Sequence, residues 1–507
     1  MKLAKIAAVG LIGASVLASC TKLDEKLNGE LTGTEANQLF GGSNPDVSSL
    51  LKGCYDAMRA PYQDQAQWWA AQEHTSDEVI GPTRGGDWDD NGVWRVLHNH
   101  RWDADHAFLA DTYRNLGRVV FATTDLLKFN PPAQAAAEAR FLRAYAMFSM
   151  LDGWNQVPYR EPGADISVTP KVRSGVEAAD YIIAELNAIL PALPNGPAYT
   201  ANKDAARALL MKVYLNKGVF ANRAAPTFAA ADMQQVITLA DQIINSGTYQ
   251  LTNYFDNFAP NNETLSRENI FTARNIGGVE SGNVRSRWFC GLHYNQNPSG
   301  WNGFTTIADF YNKFDATDPR RGGPYPGQTN VAGINVGFLV GQQRDQNGVA
   351  LRDRKGNPLV FTTDVKLIET GNDLEVKGIR VVKYPIDYTG GDNADNDYVY
   401  LRYSDVLLMK AEALLRTNQA AAALTIVNQI RSFRGVTPLA TLTNDNLIDE
   451  RGRELYWEGW RRQDLIRFGK FLGTWNEKPA SGTERLLFPI PNRSLAANPN
   501  LKQNPGY

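Results

Sequence analysis

Cysteine is scarce in this chain, three residues in 507, too few and too scattered for a disulfide framework. A surplus of charge is missing as well. Lys and Arg total 52 against 54 Asp and Glu, giving a net charge of −2 and a pI near 6.3, so nothing argues for nucleic acid or an anionic membrane as partner. After the opening segment no apolar run approaches membrane-spanning length. The nucleophile elbow Gly-x-Ser-x-Gly, the zincin HExxH and the phosphate-binding P-loop do not occur. Only paired glycosidase carboxylates stay open, because any two acids can meet in space. What is present is ordinary for a folded protein, 43% hydrophobic and 21% charged residues in a chain long enough for a large core.

The opening residues carry an address. Lys2 and Lys5 form a positive region, Ile6 to Leu17 an apolar stretch, and Ala18-Ser19 a small-residue cleavage site, followed at once by Cys20. The stretch is too short to span a bilayer. Only a thiol can take a diacylglyceryl thioether and become a new N-terminus, so the segment resembles a bacterial lipoprotein signal, with the acyl chains on Cys20 as the membrane anchor. Residues 1–19 are expected to be removed and 20–44 to form a tether, whose Thr21 to Lys26 charged stretch resembles signals for the outer face of the outer membrane. Residues 45–507 are expected to form one domain. Cys54, on a helix near its buried side, and Cys290 then remain, better read as small buried hydrophobes than as a disulfide.

Two regimes alternate along that domain. From about 45 to 250 and from about 398 to 470 the chain is Ala/Leu-rich with helical period, and from about 250 to 397 it turns to Gly, Asn, Asp, Pro and aromatics. Phe141, Tyr145 and Phe148 fall at i, i+4, i+7 on one helix face. Helical runs are expected over Ala205 to Phe220 and Ala231 to Asn245, the second closed by Ser246-Gly247. Ser404 is expected to cap a helix carrying Leu407, Ala411 and Leu414, and Thr417-Asn418-Gln419 turns the chain into a partner helix with Val427 and Ile430. Such helix pairs predict a mainly α fold with degenerate tetratricopeptide-like hairpins as scaffold and a loop-rich, mixed α/β ligand-binding region. Arg451, Arg453, Glu454, Glu458, Arg461, Asp464 and Arg467 are expected on one further helix, paired at i+3 or i+4 in a buried ion lattice and not catalytic.

Function is expected in the loops, where aromatics cluster without helical period. Trp68-Trp69, Trp88, Trp94 and Trp102 interleave with Asp77, Glu78, Arg84, Asp87, Asp89, Asp90, Asn91 and Arg95. A second cluster holds Arg285, Arg287, Trp288, Phe289, Tyr294, Asn295, Trp301 and Phe304. Exposed rings beside acids, amides and Arg suit a sugar, whose CH face stacks on an aromatic while its hydroxyls take hydrogen bonds. The ligand-binding candidates are Arg84, Asp87, Trp88, Asp89, Asn91, Trp288, Tyr294 and Trp301, with Trp68-Trp69 expected in the core and Trp88 the most exposed. Asp87, Asp89, Asn91 and Gly92 match positions of an EF-hand loop, but His98 stands where a bidentate Glu is needed. His98, His100, Asp103 and His106 lack the spacing of a known zinc site. No metal, cofactor or catalytic residue is assigned.

Four blocks carry a family resemblance. Asp449 to Arg467, read Asp-Glu-Arg-Gly-Arg-Glu-Leu-Tyr-Trp-Glu-Gly-Trp-Arg-Arg-Gln-Asp-Leu-Ile-Arg, resembles the ERxxELxxEGxRxxDLxR block of the SusD/RagB family of outer-membrane nutrient-binding lipoproteins. Phe488-Pro489-Ile490-Pro491 with Asn498 to Tyr507 is similar to its terminal PIP…NPxLxQNPGY. Arg402 to Ala413 resembles its RYAEVLLxxAEA helix, and Glu138 to Pro158 its EARFLRA…GxVP helix, except that the usual Gly before Val157-Pro158 is missing. The resemblance implies a SusD-like fold, a shallow surface site built from the two aromatic stretches, and a location on the outer membrane facing the exterior. It also implies capture of an oligosaccharide or polysaccharide, without catalysis, for delivery to a SusC-like TonB-dependent barrel. A surface glycoside hydrolase and a RagB-like member that captures peptides are the alternatives. Because Cys20 is the only attachment read from the chain, Cys20→Ala should give a folded, soluble protein. Its retention in the outer-membrane fraction without a partner barrel would refute the anchor.

Overall fold

The computed structural model describes residues 46–507. Cys20, the signal segment and the tether therefore lie outside the described residues. The first part of the domain is a run of antiparallel helices: α1 (Val47–Gln63), the short α2 (Trp68–Glu73), α3 (Ala107–Leu127), α4 (Ala133–Trp154), α5 (Gly175–Ile189), α6 (Lys203–Ala221) and α7 (Ala230–Asn245). Each of the last five packs on the one before it, and α1 lies across α3 and α4. The sequence-distant hairpin α8 (Tyr403–Arg416) and α9 (Ala420–Phe433) docks through α8 on α7 and α6, which extends the array. Helices α10 (Asn444–Leu455) and α11 (Arg461–Arg467) close it. A mainly α class built on helix pairs is what the sequence predicts, and it is what is found.

α4 is buried nearly all round its second half, as a central helix must be. Its Phe141 and Tyr145 pack on Phe271, and Tyr145 also on Tyr62 and Tyr400. The helix ends at Asn155, whose φ of 62° is left-handed. Asn is the residue that best replaces glycine there, because its short polar side chain tolerates that conformation. The loop that lacks the family's Gly thus keeps the geometry the Gly would give. The C-terminal tail then staples this corner: Asn504 Nδ2 donates to Trp154 O at 2.9 Å and Phe488 O at 2.7 Å, and the Gln156 amide exchanges bonds with the Lys502 backbone.

Strands are short and scattered. β1 (Gln156–Tyr159) and β2 (Lys171–Ser174) form a hairpin inside the first helical part. β3 (Asn269–Ala273) pairs antiparallel with β6 (Tyr398–Arg402), and β4 (Val336–Leu339) with β5 (Arg380–Val382). The segment 250–397 is loop-rich with strands, as expected, while the second helical part opens on a strand, β6. Cys54 and Cys290 are both free and buried.

Two expectations need correction. Ser404 does not cap α8: the N-cap position is Arg402, and the Ser404 hydroxyl donates instead to Glu268 at 2.6 Å. The charged block is not one helix. It breaks after Leu455, where Trp457 (φ 62°) and Gly459 (φ 81°) turn left-handed, and resumes at Arg461. Its lattice is mostly long-range as a result, with Asp464 to Arg467 (2.6 Å) a pair of the expected i+3 kind. Glu454 meets Arg434 at 2.7 Å, Arg402 at 2.9 Å and Arg320 at 3.0 Å, all buried. Arg402 also reaches Glu268 at 3.2 Å and Glu458 at 2.7 Å, and Glu458 holds Lys383 at 2.9 Å. A second set joins Lys212 to Asp405 (2.6 Å), Asp405 to Arg451 (3.0 Å), Arg451 to Asp464 (2.8 Å) and Arg467 to Glu412 (2.7 Å). Burial alone would raise the Glu454 carboxyl, but the guanidiniums, Arg434 foremost, outweigh it and hold it well below the usual range.

Removing one partner from such a site leaves uncompensated buried charge. Glu454→Ala should therefore lower stability in chemical denaturation by about 3–5 kcal/mol. A melting curve equal to the parent's would refute the lattice as a scaffold. Asp397 behaves oppositely. Buried with, among the described residues, only Asn275 N–H (2.8 Å) and Thr272 Oγ (2.8 Å) as hydrogen-bond donors, it is pushed by burial up to about 7. A raised folded pKa gives stability that is complete below the unfolded value near 4 and is lost as pH climbs through 7, at roughly 1 kcal/mol per pH unit. Asp397→Asn, with the Thr272 hydroxyl free to reverse and accept, should remove that slope between pH 5 and 7. An unaltered slope would show that the loss originates elsewhere.

Candidate functional site

The loop at 84–92 begins with a tight hairpin. Arg84 and Asp87 exchange backbone hydrogen bonds at 2.9 and 3.1 Å around Gly85-Gly86, with Gly85 at φ 66°. The chain then enters the left-handed region at Trp88 (φ 61°) and, past a right-handed Asp89, again at Asp90 (φ 39°), Asn91 (φ 55°) and Gly92 (φ 79°) before the short helix Val93–His98 begins. Three non-glycine residues in that region store backbone strain, a mark of loops held for a purpose.

The second aromatic stretch meets this loop face to face. Residues 289–292 pair with 300–304, through Trp301 N–H to Phe289 O (2.8 Å) and Gly303 N–H to Cys290 O (2.7 Å). Gly303 lies flat under the Trp88 indole, where a Cβ would come within 2.2 Å of the ring, so only glycine allows the contact. Trp88 rests on Phe304 (4.9 Å between centroids) and Trp94 (5.7 Å), and its Nε1–H donates to Trp301 O at 2.7 Å. Trp301 stands beyond it, 44% exposed and steadied edge-on by Phe289 at 5.0 Å. Tyr294 donates its hydroxyl to Asp87 Oδ2 at 2.8 Å, and the Arg354 guanidinium lies over its ring at 3.8 Å. The result is an open depression of about 750 Å³, with Trp88, Tyr294 and Trp301 as its aromatic surface and Asp87, Asp90 and Asn91 on its edge.

The structure sorts the candidates. Asp87, Trp88, Asn91, Tyr294 and Trp301 converge on the depression. Trp88 is half-buried, against the expectation that it is the freest of the rings, because Phe304 and Trp94 form its seat. Asp89 is exposed but turned to Arg95 at 2.6 Å and does not line the depression. Two candidates are corrected. Arg84 is only 2% exposed, its guanidinium spent on Leu374 O at 2.6 Å and Gly303 O at 3.4 Å, so it braces the two loops from beneath. Trp288 is also 2% exposed and belongs to the core, on the inner side of the one-turn helix Ser286–Phe289. Trp68, Trp69, Trp94 and Trp102 are core residues.

The sequence reading missed Gln65, Phe108 and Arg354. Gln65 and Phe108 line the depression, and Arg354 lies over Tyr294 while reaching Asp87 at 3.3 Å and Glu375 at 2.7 Å. Arg354 gives no local signal, since it enters from a hairpin far along the chain. Phe108 reads as an ordinary residue of the first turn of α3. The histidines are committed to protein: His98 to Val79 O and Asn476 O, His100 to Thr75 O and Ser481 Oγ, and His106 to Val93 O and the Leu109 N–H. Every ring nitrogen of these three histidines thus has a protein partner. Among the described residues no helix is long and apolar enough to cross a membrane.

The model of the SusD family matches residues 240–507. The chain is 28% identical over 416 residues to the starch-binding protein SusD of Bacteroides thetaiotaomicron, covering 73% of this chain and 72% of that one. A SusD superfamily protein from Parabacteroides distasonis superposes with a TM-score of 0.72 at 17% identity, covering 94% of this chain and all of its own (100%). Surface glycan-binding protein A from Bacteroides thetaiotaomicron, solved in complex with laminarihexaose, superposes with a TM-score of 0.67 at 17% identity over 90% of this chain and 98% of its own.

Proposed function

The chain belongs to the SusD family, and from that premise we propose that it is a surface glycan-binding protein without catalytic activity, which captures an oligosaccharide or polysaccharide for import. The observation that carries this reading is Trp301, a large ring held rigid yet open to solvent beside Tyr294 and Trp88, above an edge of carboxylate and amide groups. An aromatic face of that kind takes the CH side of a pyranose, and the edge takes its hydroxyls. A starch-binding relative and a structural neighbour solved with laminarihexaose support a glycan over a peptide.

A hydrolase would need a carboxylic acid kept protonated at neutral pH in a desolvated pocket, with a second carboxylate across from it. Asp87, Asp89 and Asp90 are all exposed, and each accepts a bond from a neighbouring donor: Tyr294, Arg95 and Trp94. Binding, and no reaction, is what such an edge supports. The anchor at Cys20, the outer-membrane location and delivery to a SusC-like TonB-dependent barrel, over which this protein closes as a lid, complete the proposal. They draw on the signal segment and on membership of the family.

The test separates ring function from ring structure. Trp301→Ala should weaken retardation in polysaccharide-containing gels at least tenfold, with an unchanged melting temperature, since the ring covers little else. Trp88→Ala should weaken binding too, but with a stability loss of roughly half the 3–5 kcal/mol of a fully buried Trp. Full binding by both variants, or release of reducing ends by the parent, would overturn the proposal.

A further inference from the structure

The depression differs from most anion sites in one respect: among the described residues no Lys, Arg or His lines it. Its charged lining is Asp87 and Asp90 alone. Nearby cations are already engaged. Arg354 bonds Asp87 and Glu375, Arg95 pairs with Asp89 at 2.6 Å, and Arg285, stacked on Phe289, pairs with Asp392. In both lining carboxylates a single oxygen takes the protein's hydrogen bonds. Oδ2 of Asp87 accepts from Tyr294 and Arg354, and Oδ2 of Asp90 accepts from Trp94 Nε1 at 2.8 Å. Among the described residues Oδ1 of each has no protein donor, which leaves two anionic acceptors on the edge of an aromatic platform.

We infer that this depression selects neutral saccharides and turns away those bearing carboxylate or sulfate, an inference that rests on the glycan-binding reading of the same site. A neutral sugar offers hydroxyl donors to both free oxygens. A uronate or a sulfate ester offers an acceptor and a like charge, and finds no cation in return. Selection thus comes from repulsion as much as from attraction, the form that discriminates most sharply between ligands of similar shape.

The experiment compares matched polymers. Affinity gels containing soluble starch, laminarin or xyloglucan are run beside gels containing the same polymers oxidised at C6 to carboxylate, and beside polygalacturonate and a sulfated galactan. At least one neutral polymer should retard the full-length protein, and its oxidised form should bind at least tenfold more weakly, about 1.4 kcal/mol. High salt should narrow that gap, as should the double variant Asp87→Asn/Asp90→Asn, whose amide oxygens still accept from Tyr294 and Trp94. Tighter binding of an oxidised, uronate or sulfated polymer would overturn the selectivity and leave glycan binding standing. So would a gap that neither salt nor the double variant moves. Failure of every polymer of either kind to retard the protein would overturn the glycan reading and this inference with it.

Discussion

The ion lattice around Arg402 and Glu454 is the constraint on which the rest depends. Helix hairpins such as α3–α4 or α8–α9 are local structures that form wherever the period is right. The loops between 250 and 397 have no such local support, because their strands run only two to five residues. Arg402 sits at the seam. It ends β6, opens α8, and binds Glu268 before β3, Glu454 in α10 and Glu458 in the turn after it. Glu458 reaches Lys383 just past β5, and Arg320 ties Glu454 to Asp318 and Glu450. Charges buried in this way seldom add net stability over a well-packed apolar core. Their value here is directional, since each partner has one place to go and the loops that carry them are fixed with it.

The same block reaches the proposed binding surface through a second device. Glu73 and Glu78, both buried on and after α2, accept from Gly459 N–H and Trp457 N–H and so hold the left-handed turn that splits the charged block. Burial first, and then the neighbouring carboxylate, raise Glu78 well above the usual range. Trp69 Nε1–H donates to Trp457 O at 3.1 Å, the Trp69 ring stacks on Phe304 at 5.9 Å, and Phe304 carries Trp88. The platform is thus the outer end of a column of packed rings rooted in the scaffold.

The helical regimes, the loop-rich insertion and the two aromatic stretches were all legible in the sequence, because period and composition are local properties. The resemblance blocks were legible as well, and the structure supplies their physics: the terminal Asn504 caps the corner after α4, and Asn155 replaces a glycine without altering the turn. What stayed hidden depends on partners distant in the chain. Trp288 and Trp301 stand in similar polar company, yet one turn of helix buries the first and a hairpin lifts out the second. Arg84 looks like a ligand residue until Gly303 O and Leu374 O are seen to occupy it. The single long charged helix failed for a similar reason, since the left-handed residues Trp457 and Gly459 are stable only with Glu73 and Glu78 beneath them.

A site of this kind also explains where rigidity is placed. Weak ligands have only a few kcal/mol in total, and ordering a loop on binding would consume much of it. Strain at Trp88, Asp90 and Asn91 is therefore held in advance by the Gly303 contact, the Trp94 bond to Asp90 and the Arg95 bond to Asp89. Tyr294 is fixed from both sides, by Asp87 at its hydroxyl and Arg354 on its ring. Arg354 thereby pairs its own charge with two carboxylates, so the residue that orders the platform is also a cation already engaged. Rigidity and the proposed charge selection rest on one set of contacts, and a change to either alters the other.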